Sequence, residues 1–97
     1  MTKGYWIASV DVTDPEGYRE YMTANAAAFQ KYGAKFLVRG GRFEVPEGTA
    51  GSRNVILEFN DYDTAIACYR SPEYAAAKSL RVGHANVTLI IIEGHDG

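Results

Sequence analysis

Strand-like runs in this chain are apolar at successive positions, not only at alternate ones. In Tyr5-Trp6-Ile7-Ala8-Ser9-Val10, Trp6, Ala8 and Val10 point to one side of an extended backbone, while Tyr5, Ile7 and Ser9 point to the other. Near the C-terminus, Ile90 and Ile92 oppose Leu89 and Ile91 in the same way. A strand with large apolar groups on both sides needs cover on both faces. Ninety-seven residues allow one domain, spanning 1–97, with one modest core and a large exposed fraction. A second copy packed sheet to sheet would supply the missing cover, so the pattern predicts a homodimer.

The other elements follow from local signals. Tyr5 to Val12, rich in aromatic and β-branched residues, reads as a first strand. Asp14-Pro15 is a helix start, with Asp14 placed to cap free amides and Pro15 in the first turn. Tyr18, Met22, Asn25 or Ala26, Phe29 and Tyr32 recur at helical spacing, and Gly33 is the expected stop. Phe36 to Val45 reads as a second strand, with Gly40-Gly41 marking a bulge or bend. Pro46 to Ser52 is a hairpin-like loop and Arg53 to Phe59 a third strand. Asn60 or Asp61 caps a second helix through Tyr69, which breaks at Ser71-Pro72 and restarts through Glu73 to Leu80. Asn86 to Glu93 is the last strand, and Gly94 to Gly97 a fraying tail. The order is β-α-β-β-α-β, a ferredoxin-like α+β arrangement with helices on one face of the sheet.

Composition excludes several classes. The net charge is -2 and no basic block is present, which argues against a nucleic-acid partner. The longest strongly apolar run, Leu89 to Ile92, is far too short to span a bilayer, so no membrane partner is expected. The N-terminal residues run almost directly into a strand without a signal-peptide hydrophobic region, and a cytoplasmic location is the default expectation. Cys68 is the single cysteine, leaving no disulfide within one chain and no thiolate zinc site; inert packing is its expected role. His, Asp and Glu show no metal-ligand spacing, and Gly40-Gly41 lacks the strand, glycine-rich turn and helix of a nucleotide-binding fingerprint. No cofactor or metal is therefore expected.

The first strand, Asp14-Pro15, Tyr18 to Tyr21, Gly40-Gly41, Leu57-Glu58-Phe59, Tyr69-Arg70-Ser71-Pro72-Glu73-Tyr74 and Ile92-Glu93-Gly94 together cover nearly the whole chain. In this combination they resemble the DUF1330 family of small bacterial proteins, and the Ser-Pro-Glu-Tyr element carries most of the resemblance. The resemblance implies a dimeric α+β barrel with a small-molecule cavity between the sheet and its covering elements. Members of that family often have Trp before the Tyr of the second helix; Cys68 stands there in this chain, which implies a wider or differently shaped cavity. The broader group includes cofactor-free monooxygenases, isomerases and haem enzymes, so the resemblance implies a cavity and leaves the chemistry open.

Five residues are candidates for a site. Arg39 and Arg42 flank the double glycine and suit recognition of a carboxylate or enolate; a bulge would bring both to one face, and a regular strand would separate them. Glu58, between Leu57 and Phe59, belongs to the helix-free face, as a general base or as an interface ion pair. His84, just before the last strand, is the candidate acid-base group or haem ligand. Tyr69 is the tyrosine favoured to line a cavity for an aromatic ligand. The leading reading is a homodimeric domain that binds a small organic molecule. The alternatives are a cofactor-independent monooxygenase or isomerase acting on a small aromatic or lactone-like substrate, and a purely structural or interaction dimer.

Overall fold

The computed structural model describes residues 2–96 of the chain, so the last residue of the expected tail, Gly97, lies outside the described residues. Strand β1 (Gly4–Val12) leads into helix α1 (Pro15–Lys31); β2 (Lys35–Arg39) and β3 (Arg53–Phe59) follow; α2 (Tyr62–Tyr69) and α3 (Pro72–Ser79) precede β4 (Ala85–Glu93). The four strands form one antiparallel sheet in the order β2-β3-β1-β4. All three helices lie on one side of it.

The expected barrel does not form. The sheet is open, with β2 and β4 as opposite edges that do not pair with each other. Four strands of one chain are too few to bend round and bring these edges together. The β-α-β-β-α-β order itself is present, with its second helix split into α2 and α3.

The split at Ser71 has a clear local cause. The Ser71 hydroxyl donates to the Cys68 carbonyl at 2.7 Å and accepts from the Tyr74 amide at 3.1 Å, so one side chain ends α2 and caps α3. Pro72 occupies the first turn, where its missing donor costs nothing. Asp61 caps α2 by accepting from the Thr64 amide at 2.7 Å; the Thr64 side chain first, and then this amide bond, hold the Asp61 carboxyl below the usual carboxylate range. Asp14 does not act in this way. It occupies the N-cap position of α1 without a side-chain cap bond, and its carboxylate instead meets the His84 Nδ1 at 2.8 Å.

Strand two is shorter than its sequence suggests. The Gly40 amide still donates to the Asn54 carbonyl of β3 at 3.0 Å, but its φ of +69 turns the backbone out of the sheet, and residues 41–52 join no strand. The bulge lies earlier than the double glycine: Phe36 is opposite Leu57 and Val38 opposite Ile56, which leaves Leu37 as the extra residue. The loop is tied back where Ser9 Oγ accepts from the Gly51 amide at 2.7 Å.

The core lies between the sheet and the helices. Trp6 is 2% exposed, with its ring edge-on to Phe29 at 5.4 Å and Tyr74 at 4.9 Å; its indole N–H donates to the Ala65 carbonyl at 2.9 Å. Burying the rings satisfies the hydrophobic drive, and the Ala65 bond prevents a stranded donor. The helix-free face presents Ile7, Ile90 and Ile92 at 40%, 52% and 47% exposure. Replacing Ser71 by Ala removes both the cap and a buried bond, and is expected to lower unfolding stability by about 1–2 kcal/mol in urea titrations. Asp14→Asn should cost less than Ser71→Ala, because no helix cap is lost.

Candidate functional site

A cavity of about 40 Å³ lies between α1 and the helix-covered face of the sheet. Trp6, Phe29, Phe36, Val55, Leu57 and Leu89 form its apolar walls. Tyr18, Met22 and Asn25 enter from one face of α1, where a spacing of three to four residues stacks them along the helix. The volume holds water molecules as it stands; an organic ring needs some of the lining to move. Arg39 is its exposed member, while Ala8, Met22, Phe36, Arg53, Val87 and Leu89 are half-buried, so the cavity reaches the surface beside Arg39.

Polar groups converge on this space. The Tyr21 hydroxyl is 2.8 Å from the Tyr74 hydroxyl, and both rings line the cavity. Burial, followed by the Tyr74 hydroxyl, raises the Tyr21 phenol well above its ordinary pKa, while the nearby Asn25 amide opposes the shift. Tyr21 is therefore a neutral donor at physiological pH. Burial also raises Tyr18, and the nearby Arg53 and Arg81 guanidiniums oppose that shift. Arg81, 9% exposed, places its guanidinium 5.5 Å from the Tyr21 ring centroid, close to the Tyr21 and Tyr74 side chains; its Nε has no partner. Burial disfavours the Arg81 charge, but the two tyrosines more than offset this and its pKa is raised.

Two more arginines reach the mouth of the cavity. Arg39 pairs with Val55 in the register of β2 and β3, and Arg53 lies two residues before Val55, so the two arginines are diagonal neighbours on the helix-covered face. The Arg39 guanidinium lies over the Phe36 ring at 4.3 Å from its centroid. Arg53 extends past Gly40, where an added Cβ would sit 2.8 Å from the Arg53 Nη1. Gly40 thus turns the chain and leaves space for a guanidinium.

The other sequence candidates lie apart. Glu58 is on the helix-free face, as expected, and accepts from the Tyr5 hydroxyl of its cross-strand partner at 3.1 Å. That bond, more than its carboxylate charge, raises the Tyr5 pKa. His84 sits where β1 turns into α1; its carbonyl accepts from the Thr13 and Asp14 amides at 2.9 and 3.0 Å, and its ring fills the space beside Gly17. Tyr69 packs on Trp6 and Tyr74, and its hydroxyl accepts from the Lys78 Nζ at 2.7 Å. Arg42 lies beyond the strand end and is exposed. Of the five candidates, Arg39 alone lines the cavity. Arg53 was legible: it shares strand parity with Val55, Leu57 and Phe59, which places it on the core side. Arg81 lies in a turn without periodicity, and no sequence signal marked it. Among the described residues, no three His, Cys, Asp or Glu side chains come together to hold a metal, and no helix is long and apolar enough to cross a membrane.

The model of a domain of unknown function, DUF1330, matches residues 3–95. The chain belongs to the DUF1330 family. No curated protein sequence matches it. Three solved structures resemble this DUF1330 domain. A protein of unknown function from Rhodopseudomonas palustris is 17% identical with a TM-score of 0.76, the alignment covering 99% of this chain and 85% of that one. SnoaB, a cofactor-independent oxygenase from Streptomyces nogalater, is 11% identical with a TM-score of 0.69, covering 100% and 97%. A dimeric ferredoxin-like protein of unknown function from Thermobifida fusca is 15% identical with a TM-score of 0.63, covering 94% and 90%. At these identities the likeness is one of fold.

Cys68, the point where the sequence departs from the family's frequent Trp, is buried, with its thiol directed to the Ala28 carbonyl at 3.8 Å. Burial, with a smaller effect from the Glu73 charge, pushes its pKa up to about 12. Alkylation by iodoacetamide in the native DUF1330 protein is expected to stay slow through neutral and mildly alkaline pH and to become fast on unfolding. Rapid native labelling would place Cys68 in an accessible site.

Proposed function

We propose that this protein is a homodimer that binds a small organic molecule in the cavity between α1 and the sheet. The observation that carries the reading is a gap in an otherwise aromatic core whose lining includes Tyr21 and Asn25. Apolar walls with a few fixed polar groups are the usual composition of a small-molecule site. Tyr21 is held neutral by burial, so its hydroxyl can donate or accept, and Asn25 offers both donor and acceptor. The gap is small, so binding requires the flexible Met22 side chain to shift outward.

The helix-free face supports the dimer. The chain exposes 6294 Å², and a compact monomer of 10.7 kDa is expected to expose roughly 5,500 Å². The excess, roughly 800 Å², is about what each partner buries in a stable interface. Part of it belongs to the loop at residues 40–52, where Phe43 is also exposed. The dimeric Thermobifida fusca protein shares the fold, and a second copy over Ile7, Ile90 and Ile92 answers the two-sided pattern of β1 and β4. In this arrangement Glu58 and its Tyr5 partner enter the interface.

A second reading, a cofactor-independent oxygenase or isomerase, is supported by the same Tyr21 and Asn25 pair and by the fold shared with SnoaB. These groups would hold an oxygen on which negative charge develops. Turnover of an aromatic or lactone-like substrate without added cofactor, lost in Tyr21→Phe with binding retained, would favour it.

Val87 lines the cavity from β4. Filling the gap with Val87→Phe is expected to abolish binding of a small aromatic probe by titration calorimetry, with the circular dichroism spectrum retained; undiminished binding would place the ligand elsewhere. Ile90→Glu is expected to convert the dimer to monomer in light scattering, leaving the helix-side core folded.

A further inference from the structure

The cavity has an excess of positive charge that the chain itself does not neutralise. Arg39 and Arg53 line it, and Arg81 stands behind the Tyr21 and Tyr74 hydroxyls. Carboxylates are not scarce: the sequence has 12 Asp and Glu against 10 Lys and Arg. Yet the ion pairs among the described residues are Lys31 with Glu73 and His84 with Asp14, and none involves these three arginines. A guanidinium costs several kcal/mol to remove from water unless it is paired or hydrogen-bonded. Arg81 is nine-tenths buried, its counter-groups are neutral phenols, and its Nε is unpartnered. Arg39 and Arg53 at the mouth have no carboxylate partner among the described residues, which leaves their charge available to a negative ligand.

The orientation of Arg39 narrows the class. Its guanidinium carbon lies 4.3 Å from the Phe36 ring centroid, so the ring covers one side of the group and the other side is left for an oxygen ligand. In-plane donors of a guanidinium match the two oxygens of a carboxylate. Arg53, diagonal to it and held past Gly40, brings a second set of donors to the same mouth. Beyond the mouth the walls are Trp6, Phe29 and Leu57, which suit a flat apolar body and offer nothing to a hydrated one.

We infer that the ligand of this site is a carboxylate carried on an aromatic or similarly flat apolar body, with the carboxylate held by Arg39 and Arg53 at the mouth and the body directed toward Tyr21 and Asn25. The inference rests on the cavity reading above and adds the sign and chemistry of the ligand. Arg81 is a positioning residue: it fixes the two phenols and adds its field, and touches no ligand.

Benzoate and benzamide, nearly equal in shape and different in charge, separate the two levels of the reading. The Met22 methyl and Asn25 side-chain amide signals report binding in NMR titrations of the intact protein. Benzoate is expected to shift both signals at concentrations where benzamide does not. Arg39→Gln and Arg53→Gln should each weaken benzoate by about 10–100-fold, the range for loss of a charged hydrogen bond, and leave benzamide unchanged. Arg39→Lys, which keeps the charge and loses the planar fork, should fall between wild type and Arg39→Gln. Equal binding of both probes overturns the carboxylate assignment and leaves the cavity standing. Benzoate binding that neither glutamine variant weakens also overturns it. Neither probe moving Met22 or Asn25 removes the cavity reading, and the carboxylate assignment falls with it.

Discussion

One sheet carries large apolar side chains on both faces, and three helices cover only one of them. That constraint organises the molecule. α1, α2 and α3 bury Trp6, Val10, Val55, Leu57 and Phe59 on the inner face, while the alternate positions of the same strands leave Ile7, Ile90 and Ile92 half exposed. Moving either strand by one residue would exchange the two sets and expose Trp6, so the register is firmly set. It cannot hide both sets at once. The molecule is only 17 Å along its shortest axis, consistent with one sheet under one layer of helices. Fully burying an isoleucine contributes about 1.5–3 kcal/mol, so covering the three on the open face is a substantial driving force for a second copy.

The helix-covered side shows a different balance. Trp6 is the centre of an aromatic cluster in which edge-on contacts with Phe29 and Tyr74 are continued by Tyr69 and Tyr21. A wholly apolar core would have been simpler to pack. Here the bonded Tyr21 and Tyr74 hydroxyls lie along one side of the cluster, with the Asn25 amide and the Arg81 guanidinium close enough to influence them. Such a network is stable only when its members satisfy one another, and the unpartnered Arg81 Nε marks where it falls short. The cavity opens beside this network, where the rigid cluster meets the more exposed side chains Met22, Arg39 and Arg53.

How much of this was legible depended on whether the cause was local. β3 was read as Arg53 to Phe59 and forms over that range, and the break at Ser71-Pro72 was visible because serine cap and proline start are local signals. The second strand failed at Gly40: its downstream residues Phe43 and Val45 have strand character, but a positive φ and the lack of a neighbouring strand exclude them from the sheet. Asp14 had the composition of a cap, and the distant His84 took its carboxylate. The barrel expectation came from the family resemblance, and strand order in this chain leaves the sheet open. Of the site, Arg39 and the α1 face were accessible from spacing. Arg81 was not, because tertiary packing alone brings its turn against Tyr21 and Tyr74.

The most direct test of the two-sided constraint is an isotope-filtered NOE experiment on a mixture of labelled and unlabelled protein. Intermolecular NOEs from the methyl groups of Ile7, Ile90 and Ile92 are expected, with none from the core methyls of Val55 or Leu57. A monomer at the same concentration, with those isoleucine methyls exposed to solvent, would contradict the second-copy cover; intermolecular NOEs confined to the helix side would place the interface on the wrong face.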